Sequence, residues 1–337
     1  MEPLTAASPL PPLRGDLDIA PFEHEGRSLF LVRDAEAQGD EALGLSPGGL
    51  AVAALFDGRR AAAEVAAELS KQSGADIPAE DVLRVAEQLR AAGLLDTEDA
   101  RARRRARLEA FLRAPTRPAV FQGRGGYPEK PRELTAFLDR FFADPKGPGR
   151  PLPARPTRAG AWGLVAPHID FHRGGPAYAW SYAALADSPP PDVVVALGVA
   201  HMSPDSPWVM TRKPYETPFG PAAVDEGLYD EIAQTLWYDP RADEWVHRRE
   251  HSLEFQAVWL RRLWGDKTPP WVPILCSTFE RFSPDRAPSA TPTVEEALRK
   301  VGALLAARAK TQRVLILAGI DLAHVGPRFG DDIELTP

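Results

Sequence analysis

The sequence of 337 residues has few of the features that are typical of several large protein classes. Its single cysteine, Cys276, excludes a disulfide framework and any zinc or iron–sulfur site built from several cysteines. No stretch approaches the roughly 20 apolar residues of a membrane span, and the N-terminus lacks the basic start and apolar run of a secretory signal. We therefore expect a cytoplasmic protein in which a metal, if present, is held by histidines and carboxylates.

Positive charge is not in excess either. The chain has 40 lysines and arginines against 47 aspartates and glutamates, which gives a formal net charge of -7. Nucleic acids and anionic membranes attract proteins mainly through clustered positive charge, so the composition argues against both as partners. With 44% hydrophobic residues the chain can bury a sizeable core.

A sharp change in composition divides the chain. All eight tryptophans lie between Trp162 and Trp271 and the first tyrosine is Tyr127, whereas residues 1–115 are rich in alanine, leucine, arginine and glutamate. This change predicts two differently built units. The arginine-rich stretch between them predicts an exposed linker helix over 99–120 that prolines terminate.

The helix-start signals and amphipathic patterns of the first unit predict a small, mainly α domain. Ser46 is a candidate helix N-cap with Pro47 at the first helical position, and two further amphipathic helices are predicted over 61–70 and 78–92. The order LSPGG, ALFDGRRAAAEVAAEL and AEDVLRVAEQLRAAGLLD resembles the PqqD-like winged-helix domain over residues 15–98. The resemblance implies that this unit binds a peptide or docks a radical-SAM partner; a plain helical adaptor is the alternative.

The second unit alternates apolar strands with helices. Such an order predicts an α/β sheet that helices cover on both faces. The predicted strands are 162–167, 192–198, 271–276 and 313–319, and the predicted helices are 175–185, 222–236, 251–263 and 293–310.

Three histidines follow predicted strands. His168 follows the first strand, His201 the second and His324 the last. In α/β sheets the loops after the carboxyl ends of strands form the ligand crevice, so these side chains are candidates for one common site. Two histidines and one carboxylate suit divalent iron, copper or zinc and leave positions open for a ligand.

Carboxylates and a fourth histidine complete the candidate site. Asp321 follows the last strand, Asp170 follows His168, and Glu250 precedes His251; each carboxylate has the alternative of capping a helix or pairing with an arginine. His251 opens a helix, whose positive end lowers the pKa of an imidazole and suits it to act as a base. We expect the remaining histidines at the surface: His24, His172 and His247.

Seven motifs of the second unit occur together in one known family. The motifs are YPEKPRELTAFLDRFF, LVAPHIDFHRGGPAYAWSYAAL, ALGVAHM, YETPFGPAAVDEGLYDEI, EHSLEFQAVWLRRL, VPILC and ILAGIDLAHVG. In order and spacing they resemble the MEMO family, called AmmeMemoRadiSam system protein B in prokaryotes, and we assign residues 121–337 to this MEMO-like domain. The resemblance implies a fold akin to the LigB-type class III extradiol dioxygenases, with Fe(II) or copper held by His168 and His201 and with His251 in the site.

Two departures from the family pattern affect the expected site. Ala323 stands where the family commonly has a cysteine, so either Asp321 supplies a carboxylate as the third metal ligand or the site binds metal weakly or not at all. We expect His251 and Glu250 to be the catalytic residues. The chain also ends at Pro337, shortly after the last motif, where the family continues with a further helix and strands. We therefore expect exposed apolar surface in this domain.

These observations predict a MEMO-like protein with a non-haem metal-binding cleft, which acts with a radical-SAM partner in modification or metal handling. Two alternatives remain open. The first is an iron(II) ring-cleaving dioxygenase of the extradiol class, and the second is a non-catalytic peptide-binding adaptor. If the protein is an enzyme, we expect a metal-dependent, dioxygenase-like oxidoreductase.

Overall fold

The chain folds into two compact units, Met1–Ala110 and Phe111–Pro337. A computed structural model describes residues 4–34, 42–123, 126–149, 160–283, 287–321, 324–327 and 330–332. In these ranges the second unit has a five-stranded sheet flanked by helices, which confirms the predicted α/β class, and the first unit has four helices and a small antiparallel sheet of three strands. Among the described residues, no helix combines the length and the apolar character that crossing a membrane requires.

The first unit packs helices against a three-stranded antiparallel sheet in the order β1-β2-β3. Ser46 accepts a hydrogen bond from the backbone N–H of Gly49 and Pro47 opens the first helix, as predicted. Strands β1 and β3 were not predicted, because β1 is mostly exposed and lacks apolar alternation. The elements are β1 (Leu17–His24), β2 (Arg27–Asp34), β3 (Ala42–Leu45), α1 (Pro47–Ala53), α2 (Ala62–Ser73), α3 (Ala79–Ala91) and α4 (Glu98–Arg113).

Arginines of the first unit converge on buried or half-buried carboxylates. The side chains of Arg14 and Asp34 are 1% and 0% exposed and lie 3.0 Å apart. Arg107 of α4 reaches Asp34 at 2.8 Å, and Arg104 reaches Asp16 at 2.7 Å. The arginine-rich helix is thus fastened to its own unit by ion pairs, which accounts for much of its positive charge.

The second unit contains a five-stranded sheet in the order β4-β8-β5-β7-β6. Strands β4, β8, β5 and β7 are parallel, and the short edge strand β6 is antiparallel to β7. The elements are α5 (Pro131–Ala143), β4 (Gly163–Pro167), α6 (Phe171–Ala186), β5 (Val193–Val199), β6 (Trp208–Met210), α7 (Glu226–Ala233), α8 (His251–Trp264), β7 (Trp271–Cys276), α9 (Pro292–Arg308) and β8 (Val314–Ile320).

Helices cover both faces of this sheet. Residues of α5, α6 and α8 share one buried cluster with Leu315 and Leu317 of β8, while residues of α7 and α9 share another with Val193 and Val195 of β5. The edge strand β4 is less covered: Val165 is 61% exposed, and Trp162 just before the strand is 80% exposed. The parallel arrangement brings the carboxyl ends of β4, β8 and β5 to one edge.

The buried ion pair of the first unit gives a stability prediction. Asp34→Asn removes the buried negative charge that Arg14 and Arg107 face, and we expect the free energy of unfolding to fall by about 2–4 kcal/mol. The loss is not larger because Arg14 keeps Asp16 as a partner. Hydrogen exchange in α2 and α3 of the full chain measures the loss locally. Asp18→Asn is the matched control, since its pair with Arg33 is about half exposed and should change stability by under about 0.5 kcal/mol. Equal exchange in the two variants would contradict the prediction.

Asp16 gives a pH prediction. Burial alone would raise the pKa of Asp16, but hydrogen bonds from Arg14 and Arg104 lower it from 3.8 to about 2. A carboxyl group with a lowered pKa in the folded state stabilises that state above about pH 4, and this stabilisation is lost as the pH falls toward 2. Because the side chain is 39% exposed, solvent screening limits the effect to below about 1 kcal/mol. We expect Asp16→Asn to flatten the decline of thermal stability across this window; an unchanged decline would refute it.

Candidate metal centre

Three histidines meet at the carboxyl edge of the large sheet. His168 directly follows β4, His201 comes two residues after β5, and His251 is the first residue of α8. Their ring centroids are 5.1 Å (His168–His201), 5.4 Å (His168–His251) and 4.7 Å (His201–His251) apart. One ring nitrogen of each lies within 4.8 Å of the other two, which is a spacing that a single metal ion can bridge.

Side chains in the first turns of α8 fasten this helix to the strand ends. The Ser252 hydroxyl accepts a hydrogen bond from the Val199 N–H at 3.0 Å and donates one to the Val199 carbonyl at 3.1 Å. The Gln256 amide donates to the Pro167 carbonyl at 2.9 Å. Because Pro167 and Val199 end β4 and β5, these bonds set His251 close to His168 and His201.

Two strand glycines permit this close approach. A Cβ atom at Gly198 would lie 2.6 Å from both Leu253 Cγ and Ser252 Oγ. A Cβ atom at Gly319 would lie 3.0 Å from the Ser252 carbonyl oxygen and 2.7 Å from Gln256 Nε2. Any larger residue at either position would push the start of α8 away from the sheet.

Glu250 links two of the histidines through one buried carboxylate. It accepts hydrogen bonds from the His201 backbone N–H at 3.1 Å and from the Ser252 N–H at 2.9 Å, so it caps α8. Its oxygens lie 3.0 and 3.1 Å from His201 Nδ1 and 3.3 Å from His251 Nδ1. Burial alone would raise the pKa of Glu250, but the hydrogen bonds and positive charge of His201 lower it to about 2.

Asp321 lies beside the third histidine. Its Oδ1 is 3.4 Å from His168 Nδ1, and its Oδ2 is 2.8 Å from Nε2 of the exposed His324. The buried Nδ1 of His168 makes no hydrogen bond of ordinary geometry to the residues that the structure describes. Ala323, where the family resemblance implies a cysteine, lies outside those residues.

Two of the three rings are kept neutral, as metal binding requires, and the third must release a proton when an ion binds. Burial lowers the pKa of His168, and burial lowers the pKa of His251 to about 4. The hydrogen bond to Glu250 raises the pKa of His201. Metals bind the neutral imidazole, and sets of imidazole nitrogens suit zinc, copper and iron. The residues present therefore fit a divalent ion of this class.

A buried ion pair between Arg117 and Glu254 holds the start of α8 in place. Glu254 and Arg117 are both fully buried and bonded to each other, and Tyr127 also donates a hydrogen bond to Glu254. Glu254 further accepts from the backbone N–H groups of Val120 at 3.0 Å and Phe121 at 2.8 Å. The carboxylate therefore has four donors around it, which compensates for the loss of its water.

Arg117 carries this constraint to the site. Its guanidinium donates to the carbonyl of His247 at 2.9 Å and to the carbonyl of Glu250 at 2.7 Å, next to His251. Phe121 packs edge-on against the His251 ring at 5.6 Å. Arg117 and Glu254 carry no motif that predicts this role from the sequence. The one available signal was the position of Glu254, three residues after His251 on an otherwise apolar helical face.

The expected surface position of His247 is wrong. His247 is fully buried, with Nδ1 2.7 Å from the Tyr215 hydroxyl and Nε2 3.0 Å from the Val209 carbonyl oxygen. Burial lowers its pKa to about 3. It is a core residue of the segment that leads into α8, whereas His24 and His172 are exposed as predicted.

Comparisons with known proteins point to one family. A family model described as "Memo-like protein" matches residues 117–336. A MEMO1 family protein of Thermus thermophilus is 32% identical over 268 residues, which is 80% of this chain and 72% of the relative. One of Aquifex aeolicus is 27% identical over 308 residues, 91% of this chain and 75% of the relative. One of Desulfurococcus amylolyticus is 29% identical over 203 residues, 60% of this chain and 67% of the relative.

Gly198 gives a prediction for the seating of α8. Gly198→Ala should destabilise the protein by about 1–3 kcal/mol, because the added methyl group overlaps Leu253 and Ser252. Gly302→Ala in α9 is the control: its Cβ atom meets nothing within 4 Å, and alanine is the better helix former by about 0.5–1 kcal/mol. Thermal unfolding of both variants measures the difference. If Gly198→Ala is as stable as Gly302→Ala, the helix is not seated as described.

Proposed function

The chain belongs to the Memo-like protein family, and from this premise we propose that it binds iron(II) or copper in the cleft at His168 and His201. The observation that supports this most directly is the approach of three ring nitrogens to within 4.8 Å of one another. Each histidine comes from a different element, so the group is a product of the fold and not of local sequence. The third donor at the ion is either Asp321, as the sequence predicts, or His251.

In this proposal two histidines bind the ion and a carboxylate orients one of their rings. His168 and His201 bind the ion, and Glu250 orients the His201 ring through its Nδ1. The bound ion supplies Lewis acidity and, if it is iron or copper, one-electron chemistry. The side chain of His201 is 43% exposed, so a ligand can reach the site from solvent.

We assign the first unit a docking role. Its resemblance to PqqD-like domains suggests a radical-SAM protein or a peptide as partner, and the second unit would then serve modification or metal handling in the cytoplasm. The exposed edge strand β1 supports this role, because an edge strand offers unpaired backbone groups to an extended peptide. The alternative, a non-catalytic peptide-binding adaptor, keeps this docking role but has no working metal site.

A ring-cleaving iron dioxygenase is the second candidate function. It is favoured by the neutral His251, which is placed to accept a proton from a bound diol if it does not itself bind the ion. The edge of Phe121 against His251 adds an aromatic wall. Oxygen uptake by the iron-loaded protein on a catechol would support this candidate, and uptake equal to that of free iron would exclude it.

Metal content tests the proposed function. Protein purified without chelator should carry about one equivalent of iron or copper per chain by elemental mass spectrometry, and the double variant His168→Ala, His201→Ala should lose it, because two ligands are removed. His172→Ala, an exposed histidine outside the group, is the control and should retain the metal. Unchanged metal content in the double variant would refute the site, and a wild type that takes up neither metal on reconstitution would leave only the adaptor.

A further inference from the structure

We propose that His251 is the third ligand, and that Glu250 and Asp321 hold the far sides of the three rings, so that the centre is made of imidazoles alone. This inference rests on the proposed function and specifies its ligand set. It differs from the sequence prediction, in which Asp321 binds the ion and His251 acts as a base.

The first argument is that every ring presents the same atom to a carboxylate. His201 Nδ1 lies 3.0 Å and His251 Nδ1 3.3 Å from oxygens of Glu250, and His168 Nδ1 lies 3.4 Å from Asp321. A carboxylate that accepts a bond from Nδ1–H fixes the tautomer whose lone pair is on Nε2. The hydrogen bond from His201 Nδ1 to Glu250 therefore leaves Nε2 of that ring for the ion. At His251 and His168 a carboxylate lies on the same Nδ1 side at the longer distances of 3.3 and 3.4 Å, which favours Nε2 there too.

The second argument is distance. Zinc-type bonds of about 2.0–2.1 Å place two tetrahedral ligand nitrogens roughly 3.4 Å apart. The three nitrogens, all within 4.8 Å of one another, therefore need to close by less than about 1.5 Å, which ring rotation supplies. Asp321 is not in that group, and its Oδ2 is 2.8 Å from His324.

The third argument is that His251 is held firmly. The Glu250 cap and the Ser252 hydroxyl fix the first turn of α8, and the Arg117–Glu254 pair fixes the turn below it. A ligand on such a frame loses little freedom when it binds the ion. The other two rings follow strand ends of the same sheet, so binding requires no change of fold.

An all-imidazole set defines the class of ion. Imidazole nitrogens suit divalent copper, zinc and iron, whereas the monovalent copper ion prefers sulfur ligands, which this group lacks. Three protein ligands on a tetrahedral ion also leave one position open to a small ligand.

Metal affinity of single variants tests the ligand set. The metal-free full chain is titrated with zinc against a chromophoric chelator, and with cobalt(II), whose visible absorption reports the ligands. We expect His251→Ala and His168→Ala each to weaken zinc binding at least about 100-fold. Asp321→Asn and Glu250→Gln should weaken it by about 10–100-fold or less and keep the cobalt spectrum, since they change only the support of the rings. His172→Ala is the control.

The outcomes separate this inference from the proposed function. If Asp321→Asn weakens zinc binding as much as His168→Ala, the all-imidazole set is overturned, whatever the effect of His251→Ala. A metal site would remain in place. Zinc binding that His168→Ala does not weaken would overturn the proposed function as well. Circular dichroism checks the fold of each variant, and His251→Gln replaces His251→Ala if the alanine variant unfolds.

Discussion

The buried ion pair between Arg117 and Glu254 is the interaction on which the geometry of the site depends. Isolated charges would be costly in this position, and they are tolerated because Glu254 receives four donors and Arg117 bonds three carbonyl groups besides. An apolar pair of equal volume would bury more cheaply, but it would not hold the carbonyls of His247 and Glu250. We therefore attribute to this pair a role in specifying where α8 begins, more than a role in stability.

From that start, the site follows from the architecture. The parallel strands bring His168 and His201 to one edge of the sheet, and the glycines at 198 and 319 let α8 rest on the strand backbones and add His251. The same helix start supplies Glu250, whose single carboxylate faces two rings. The group thus combines ligand candidates with the residues that orient them, as metal sites in proteins generally do.

Much of this was predictable from sequence, for local reasons. Strand β7 was predicted with its observed bounds, Trp271–Cys276, because a continuous apolar run shows at short range. His168 and His201 lie together because carboxyl ends of parallel strands share an edge, whereas His324, which the same argument placed with them, is not in the group and His251 is. The buried state of His247 and the partnership of Arg117 with Glu254 depend on residues 32 and 137 positions away in the chain. No local pattern carries such pairings, which is why they became visible only in the folded structure.

X-ray absorption spectroscopy of the zinc-loaded full chain tests the central claim, that three imidazoles of this fold bind one ion, most directly. The account predicts a first shell of light atoms at about 2.0–2.1 Å with outer-shell scattering from three imidazole rings. A shell with at most two rings, or one that consists of oxygen atoms alone, would contradict it.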